Sequence, residues 1–237
     1  MTFAPEWNAA YESPKPLKSM QDLELNIFIS DVSKGAQNCT ALELGCGQCH
    51  NYPTFRDAGI AYYGIDGSAA ALCAGVQRFP ALAEKVYLAD FTAIELPIGA
   101  QIICDRAAIA HNDIASIKRC VKQIYKALPD GGIFIGIDWF SSNHSEANRG
   151  ERVDERTRTG YEDGQFKGIG NVNFSSQDDL LDLFRDFKIG MLRERTRRMP
   201  VPYSASKYMN FGYISKYFHE REYQAAVWDI FAIKEEK

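Results

Sequence analysis

Two hydrophobic patterns alternate along the first two thirds of the chain. Short apolar runs of strand length close on or beside an acid in Ala41-Leu42-Glu43-Leu44, Tyr62-Tyr63-Gly64-Ile65-Asp66, Val86-Tyr87-Leu88-Ala89-Asp90 and Gln101-Ile102-Ile103-Cys104-Asp105. Between them lie segments with helical spacing. Asn51 to Ala58 carries Pro53 in its first turn and Gly59 at its stop. Ser68 can cap a helix from Ala69 to Phe79 that buries Leu72, Cys73 and Val76 and ends at Pro80. After Asp105, Arg106 to Asn112 leads into a helix marked by Ile114, Ile117, Val121, Ile124 and Leu128, and Pro129-Asp130-Gly131-Gly132 turns into a strand from Ile133 to Trp139. This rhythm predicts an α/β protein with a parallel, doubly wound sheet.

The two ends of the chain depart from it. Trp7 and Tyr11 precede Ser13-Pro14-Lys15-Pro16, and Met20, Leu23, Ile27 and Phe28 then predict a helix as far as Ser33-Lys34-Gly35. Ser141 to Asn173 is polar, glycine-bearing and mixed in charge, too long for an ordinary connection, and reads as a mobile lid or an added substrate-side element. Its mixed charges read as a solvated face. Ser175 or Ser176 caps a helix bearing Leu180, Leu181, Phe184 and Phe187, and strands are predicted at Ile189 to Thr196 and Gln224 to Lys234 around a Tyr-, Met- and Phe-rich stretch, Met199 to Glu222. The organisation expected is one domain over 1–237 with insertions at about 141–174 and 198–222.

Chemistry concentrates where the first strand breaks into Gly45-Cys46-Gly47-Gln48-Cys49-His50, small residues that let backbone approach a ligand closely. Asp66 follows about 20 residues later, the spacing at which an acid reaches a ribose in a nucleoside-binding βαβ unit. Asp90 with Phe91 offers a carboxylate and an aromatic face suited to the amino edge and plane of an adenine.

Leu42-Glu43-Leu44-Gly45-Cys46-Gly47, Gly64-Ile65-Asp66-Gly67-Ser68, Ala89-Asp90-Phe91 and Leu128-Pro129-Asp130-Gly131-Gly132-Ile133-Phe134 together resemble the class I S-adenosylmethionine-dependent methyltransferases. The resemblance implies a Rossmann-like, doubly wound, mostly parallel seven-stranded sheet with an antiparallel last strand. It implies S-adenosylmethionine as cofactor, with Asp66 on the ribose, Asp90 toward the adenine and Glu43 near the methionine moiety. The cofactor-binding set expected is Tyr11, Glu43, Gly45, Cys46, Gly47, Asp66, Gly67, Ser68, Asp90, Phe91, Asp105 and Arg106. Cys49 stands where the family has a further small residue. The Asp105 to His111 loop looks like that of small-molecule members, including thiopurine-methyltransferase-like proteins, and no Asn-Pro-Pro-Tyr signature of nucleic-acid amino methyltransferases is present.

His111, on a loop expected to open onto the cleft, is the candidate general base, set against a structural or helix-capping histidine. Asp138 and Trp139 are further cleft candidates. Cys46-Gly47-Gln48-Cys49-His50 spells a c-type haem attachment pattern, but the cofactor turn explains it better and no export signal accompanies it. No metal is expected, since no second Cys or His pair completes a zinc set.

Across 237 residues the formal charge is -4, which disfavours a broad nucleic-acid surface. No run is long enough for a bilayer, and six cysteines without a loop-rich framework read as free thiols, so a cytoplasmic location is expected. The function expected is methyl transfer to an oxygen or nitrogen of a small metabolite, such as a sugar or secondary-metabolite precursor, with a homodimer left open. The alternatives are a non-catalytic cofactor-binding scaffold and an NAD-dependent oxidoreductase, the latter disfavoured because His50 stands where the dinucleotide turn wants its third glycine.

Overall fold

The computed structural model describes residues 5–12, 21–34, 38–199 and 223–236. The Ser13-Pro14-Lys15-Pro16 stretch, Met20, Gly35, His219 and all but the first two residues of the 198–222 insertion lie outside the described residues.

Seven strands form one sheet: β1 (Thr40–Leu44), β2 (Ala61–Asp66), β3 (Val86–Leu88), β4 (Ile102–Arg106), β5 (Ile133–Phe140), β9 (Lys188–Met199) and β10 (Tyr223–Ile233). Their order is β3-β2-β1-β4-β5-β10-β9. The first five pair in parallel, and β10 runs antiparallel to both β5 and β9. The expected mostly parallel sheet with an antiparallel last strand is present. Helices α1 (Pro5–Glu12), α2 (Leu23–Ser33), α3 (Tyr52–Asp57), α4 (Ala69–Arg78), α5 (Ile114–Ala127) and α6 (Gln177–Leu183) complete the main body. Three further short strands, β6 (Glu151–Arg152), β7 (Thr157–Thr159) and β8 (Val172–Asn173), make a small antiparallel sheet inside the 141–174 segment.

Local chemistry accounts for the helix boundaries. Asp22, Ser68, Asp113 and Ser176 each accept a backbone N–H of the first turn of the helix they precede, and Ser176 with Asp179 forms a reciprocal capping box. On α5, Ile117, Cys120, Val121, Ile124 and Ala127 make one buried stripe.

Apolar layers cover both faces of the sheet. Leu42, Leu44, Ile103 and Phe134 pack toward α5 and α6, whereas Ala41, Tyr62, Ile102 and Ile135 pack toward α2 and α3. Alternation fails in β5. Ile135 and Ile137 belong to the α2 side and Trp139 to the α5 side, which alternation alone would forbid. The register between β5 and β10 shifts here, and Asp138 adopts φ +60. A bulge residue therefore re-aims the end of β5 beside the carboxyl edge of the sheet.

Several expectations need correction. Leu181 is exposed rather than packed: on α6 it is Leu180 and, partly, Leu183 that reach the core, with Phe184 and Phe187 beyond its end. The Val86–Leu88 run is apolar but forms an edge strand with Tyr87 and Leu88 exposed. β9 runs on to Met199, its charged residues tolerated because it too is an edge strand. In the 141–174 segment, Arg149 pairs with Asp163 and Arg156 with Asp179 in partly buried bridges, so these charges are not simply a solvated face.

Candidate functional site

The glycine turn after β1 is shaped by its surroundings. The N–H groups of Gly45 and Cys46 both donate to the carbonyl of Ile65 at 2.8 and 3.1 Å, folding the chain back over the end of β2. Gly45 has φ +66, and a Cβ there would overlap the Cβ of Ala108, so only glycine fits. Gly47, at φ +52, faces the Tyr11 hydroxyl, which a Cβ would approach to 2.6 Å. Cys49 also takes a left-handed conformation, φ +56, and is fully buried against Gly75 of α4. It is thus Cys49, and not His50, that fills the space between turn and helix. His50 instead lines the cavity with its ring near Arg78.

Parallel register decides which strand-end acids can meet. Glu43 lies opposite Gly64 and Cys104, so Asp66, two residues beyond Gly64, shares its side of the sheet. Asp105 lies opposite Leu44, one residue out of phase, and faces α5. There it accepts the Trp139 indole N–H at 2.6 Å and the Ile109 N–H at 3.0 Å. Asp105 and Trp139 are therefore packed groups outside the cavity wall, contrary to expectation. Ser68 is likewise absent from the wall: it is fully buried, capping α4 and donating to Asn8 Oδ1 at 2.9 Å.

The other expected residues meet around one cavity of about 1140 Å³ at the carboxyl ends of the parallel strands, where the order reverses between β1 and β4. Its floor and one wall carry Glu43, Gly45, Cys46, Gly47, Asp66, Gly67, Asp90 and Phe91, with Tyr11 over the turn and Arg106 at the end of β4. Glu43 is buried, accepting from Asn51 Nδ2 at 2.8 Å and Tyr62 Oη at 2.5 Å, and burial pushes its carboxyl up to about 7. Asp66 accepts the N–H groups of Gly47 and Ser68, both at 2.7 Å, and burial raises it against those bonds. Asp90 closes an Asx turn by accepting the N–H and hydroxyl of Thr92.

The opposite wall is aromatic. His111 packs edge-to-face on Trp7 and Phe140, with centroids 4.9 and 5.1 Å away, and Phe140 packs on Phe166 at 4.8 Å. His111 Nδ1 lies 2.9 Å from the Asn171 carbonyl, so that nitrogen carries the proton and donates, leaving Nε2 as an acceptor. Burial pushes the imidazole down to about 4, so it is neutral at physiological pH. The 141–174 segment contributes Gln165, Phe166 and Ile169 to this wall.

A chain of opposite charges closes one side. Arg106 bonds Asp22 at 2.8 Å and Asp138 at 3.0 Å, Arg195 bonds Asp138 and Asp229 at 2.6 Å each, and Arg193 joins Asp229 at 2.7 Å and Glu24. This network ties α2 to β4, β5, β9 and β10. Asp22, Asn51, Arg195, Arg197, Ala225 and Val227 line the cavity but were missed by reading motifs. Only Arg193-x-Arg195 in the predicted Ile189 to Thr196 strand, continued by Arg197 just past its end, could have signalled a charged face there.

No family model and no curated protein matches the sequence. Solved structures do match it. A SAM-dependent methyltransferase from Methanosarcina mazei superposes with a TM-score of 0.63 at 13% identity, covering 87% of this chain and 98% of its own. TehB from Haemophilus influenzae aligns with a TM-score of 0.58 at 12% identity over 88% of this chain, which spans only 62% of TehB. The fold is that of the class I S-adenosylmethionine-dependent methyltransferases. A third such fold is 1,6-didemethyltoxoflavin-N1-methyltransferase from Burkholderia thailandensis, whose structure holds its substrate and S-adenosylhomocysteine; it aligns with a TM-score of 0.56 at 13% identity over 90% of this chain and 78% of its own. In this methyltransferase fold the glycine turn, Glu43 and Asp66 occupy the switch point of the sheet.

Proposed function

We propose that this chain is an S-adenosylmethionine-dependent methyltransferase acting on an oxygen or nitrogen of a small metabolite. One observation carries the reading: Glu43, Asp66 and Asp90, ending successive strands, converge with a glycine turn on a single cavity whose far wall is apolar and aromatic. The residues fit the cofactor. A Cβ at Gly45 or Gly47 would fill the turn, and Asp66, accepting backbone N–H groups of Gly47, Gly67 and Ser68, keeps lone-pair capacity for a ribose hydroxyl. Phe91 and Asp90 supply a face and an acceptor for the adenine, and Glu43 and Arg106 border the end left for the methionine moiety.

When bound, S-adenosylmethionine supplies a sulfonium-activated methyl group, so the protein's own task is alignment and handling of one proton. His111 Nε2 is the acceptor for that proton, its tautomer set by the Nδ1 bond to Asn171. The chain is read as one domain whose 141–174 insertion builds the acceptor side, working in the cytoplasm; among the described residues no helix is long and apolar enough to cross a membrane.

Calorimetric titration with S-adenosylhomocysteine, with NAD in parallel, tests the reading. Saturable binding of the former, weakened by about 10- to 100-fold in Asp66→Asn, is expected from the loss of a charge-assisted hydrogen bond. Binding of NAD instead would replace the methyltransferase reading with that of an oxidoreductase.

A further inference from the structure

Three arginines, Arg193, Arg195 and Arg197, alternate along β9 and so share one face, opposite Asp229, Val227 and Ala225 of β10. Asp229 is fully buried and serves both Arg193 and Arg195, which find second partners in Glu24 and Asp138. The row of cations then outlasts the acids. Arg197 lies opposite Ala225, is exposed, and its side chain makes no ion pair or hydrogen bond with any described residue. Both Arg197 and Ala225 line the cavity.

Among the described residues, the rest of the acceptor side carries no unpaired charge. Trp7 and His111 are half-buried rings backed by Phe140 and Phe166, and His111 is neutral. Asp138, the nearby carboxylate, is shared between Arg106 and Arg195. Among the described residues a cationic amine would find no unpaired acid here and would face Arg197. A flat ring can lie against that wall, and a guanidinium fork matches the oxygens of a carboxylate or phosphate.

Resting on the methyltransferase reading, we propose that the methyl acceptor is a planar aromatic or heteroaromatic compound carrying an anionic group, its ring on the Trp7–His111 wall and its anion on Arg197. Neither Trp7 nor Arg197 is needed to form the charge network, so both can be changed without dismantling it.

The test is calorimetric titration of protein saturated with S-adenosylhomocysteine. The probes are isomeric hydroxybenzoates and indole carboxylate, each against its carboxamide, phenyl phosphate against phenol, and cyclohexanecarboxylate. At least one ring anion should bind about tenfold more tightly than its neutral counterpart and than the saturated-ring acid. Arg197→Gln should abolish the preference of anion over amide while leaving amide binding unchanged, Arg197→Lys should retain part of it, and Trp7→Ala should weaken acid and amide alike. Phenyl phosphate binding more tightly than the carboxylates would identify the anion as a phosphate. The proposal is overturned if anions and amides bind equally, if the saturated acid binds as well as the ring acids, if Arg197→Gln changes nothing, or if no ring anion binds to protein that has taken up S-adenosylhomocysteine. Ring-anion preference in protein that does not bind S-adenosylhomocysteine would retain the ring-anion site but remove its role in methyl transfer.

Discussion

Replacing Gly45 by alanine tests whether the turn after β1 is shaped by the loop above it. The added methyl meets two obstacles: a left-handed backbone at φ +66, and overlap with Ala108 Cβ while Phe91 lies 3.7 Å away. Gly59→Ala separates them, because Gly59 has φ +71 with nothing within 4 Å of a Cβ. Gly59→Ala should therefore cost about 1 kcal/mol, the left-handed penalty alone. Gly45→Ala should cost that plus about 1–3 kcal/mol of overpacking. There is little slack to relieve the overlap, since Ala107 beside Ala108 already holds φ +58. The double variant Gly45→Ala/Ala108→Gly removes the opposing methyl and should recover at least 1 kcal/mol after correction for Ala108→Gly alone. Urea unfolding followed by circular dichroism measures the cycle, and calorimetry with S-adenosylhomocysteine should show binding lost in Gly45→Ala but kept in Gly59→Ala. Equal destabilisation of the two single variants, or no coupling in the cycle, would refute the close-approach argument.

Four further outcomes are expected. Asp229→Ala leaves Arg193 and Arg195 without their shared buried partner and should cost about 2 kcal/mol, discounted because both arginines are partly exposed, with Asp229→Asn intermediate in urea midpoint. His144 is buried among Phe140, Phe166, Phe174 and Tyr223 and is pushed by burial down to about 4, so unfolding takes up a proton below pH 6.5 and its contribution is lost as pH falls toward 4. His144→Phe should therefore gain about 2 kcal/mol relative to wild type at pH 5 over its effect at pH 8; parallel curves would contradict this. Glu43 and Asp105, both raised by burial to about 7, act in the opposite sense, losing stability as pH rises through 7, and Glu43→Gln should flatten that loss. With an acceptor in hand, His111→Gln should lower kcat by about 100-fold, and the wild-type acid limb should fall near pH 4 rather than near 6.5.

The sheet, its order of helices and strands, and the glycine turn were legible because they rest on local rules: period-2 and period-3.6 burial, caps at Ser68 and Ser176, and backbone conformations that small residues alone tolerate. Glu43 and Asp66 were legible as strand-end acids. Ser68 was read as a ligand because a serine after such an acid serves equally as a helix cap, and motif spacing does not separate the two roles. Asp105 looked like its neighbours, yet pairing one residue out of phase with Glu43 turned it toward α5.

By itself, the sequence determined which segments become strands and helices and where the backbone must turn tightly, since these depend on a residue and its near neighbours. Tertiary structure decided how the cavity wall opposite the glycine turn is assembled. Trp7, Phe166, Asp22, Asp138 and Arg197 come from five distant segments, and the bulge at Asp138 together with the β9–β10 register selects which of the cations lining the cavity are matched by acids among the described residues. Register and long-range pairing are collective properties of the packed sheet, and no local pattern encodes them.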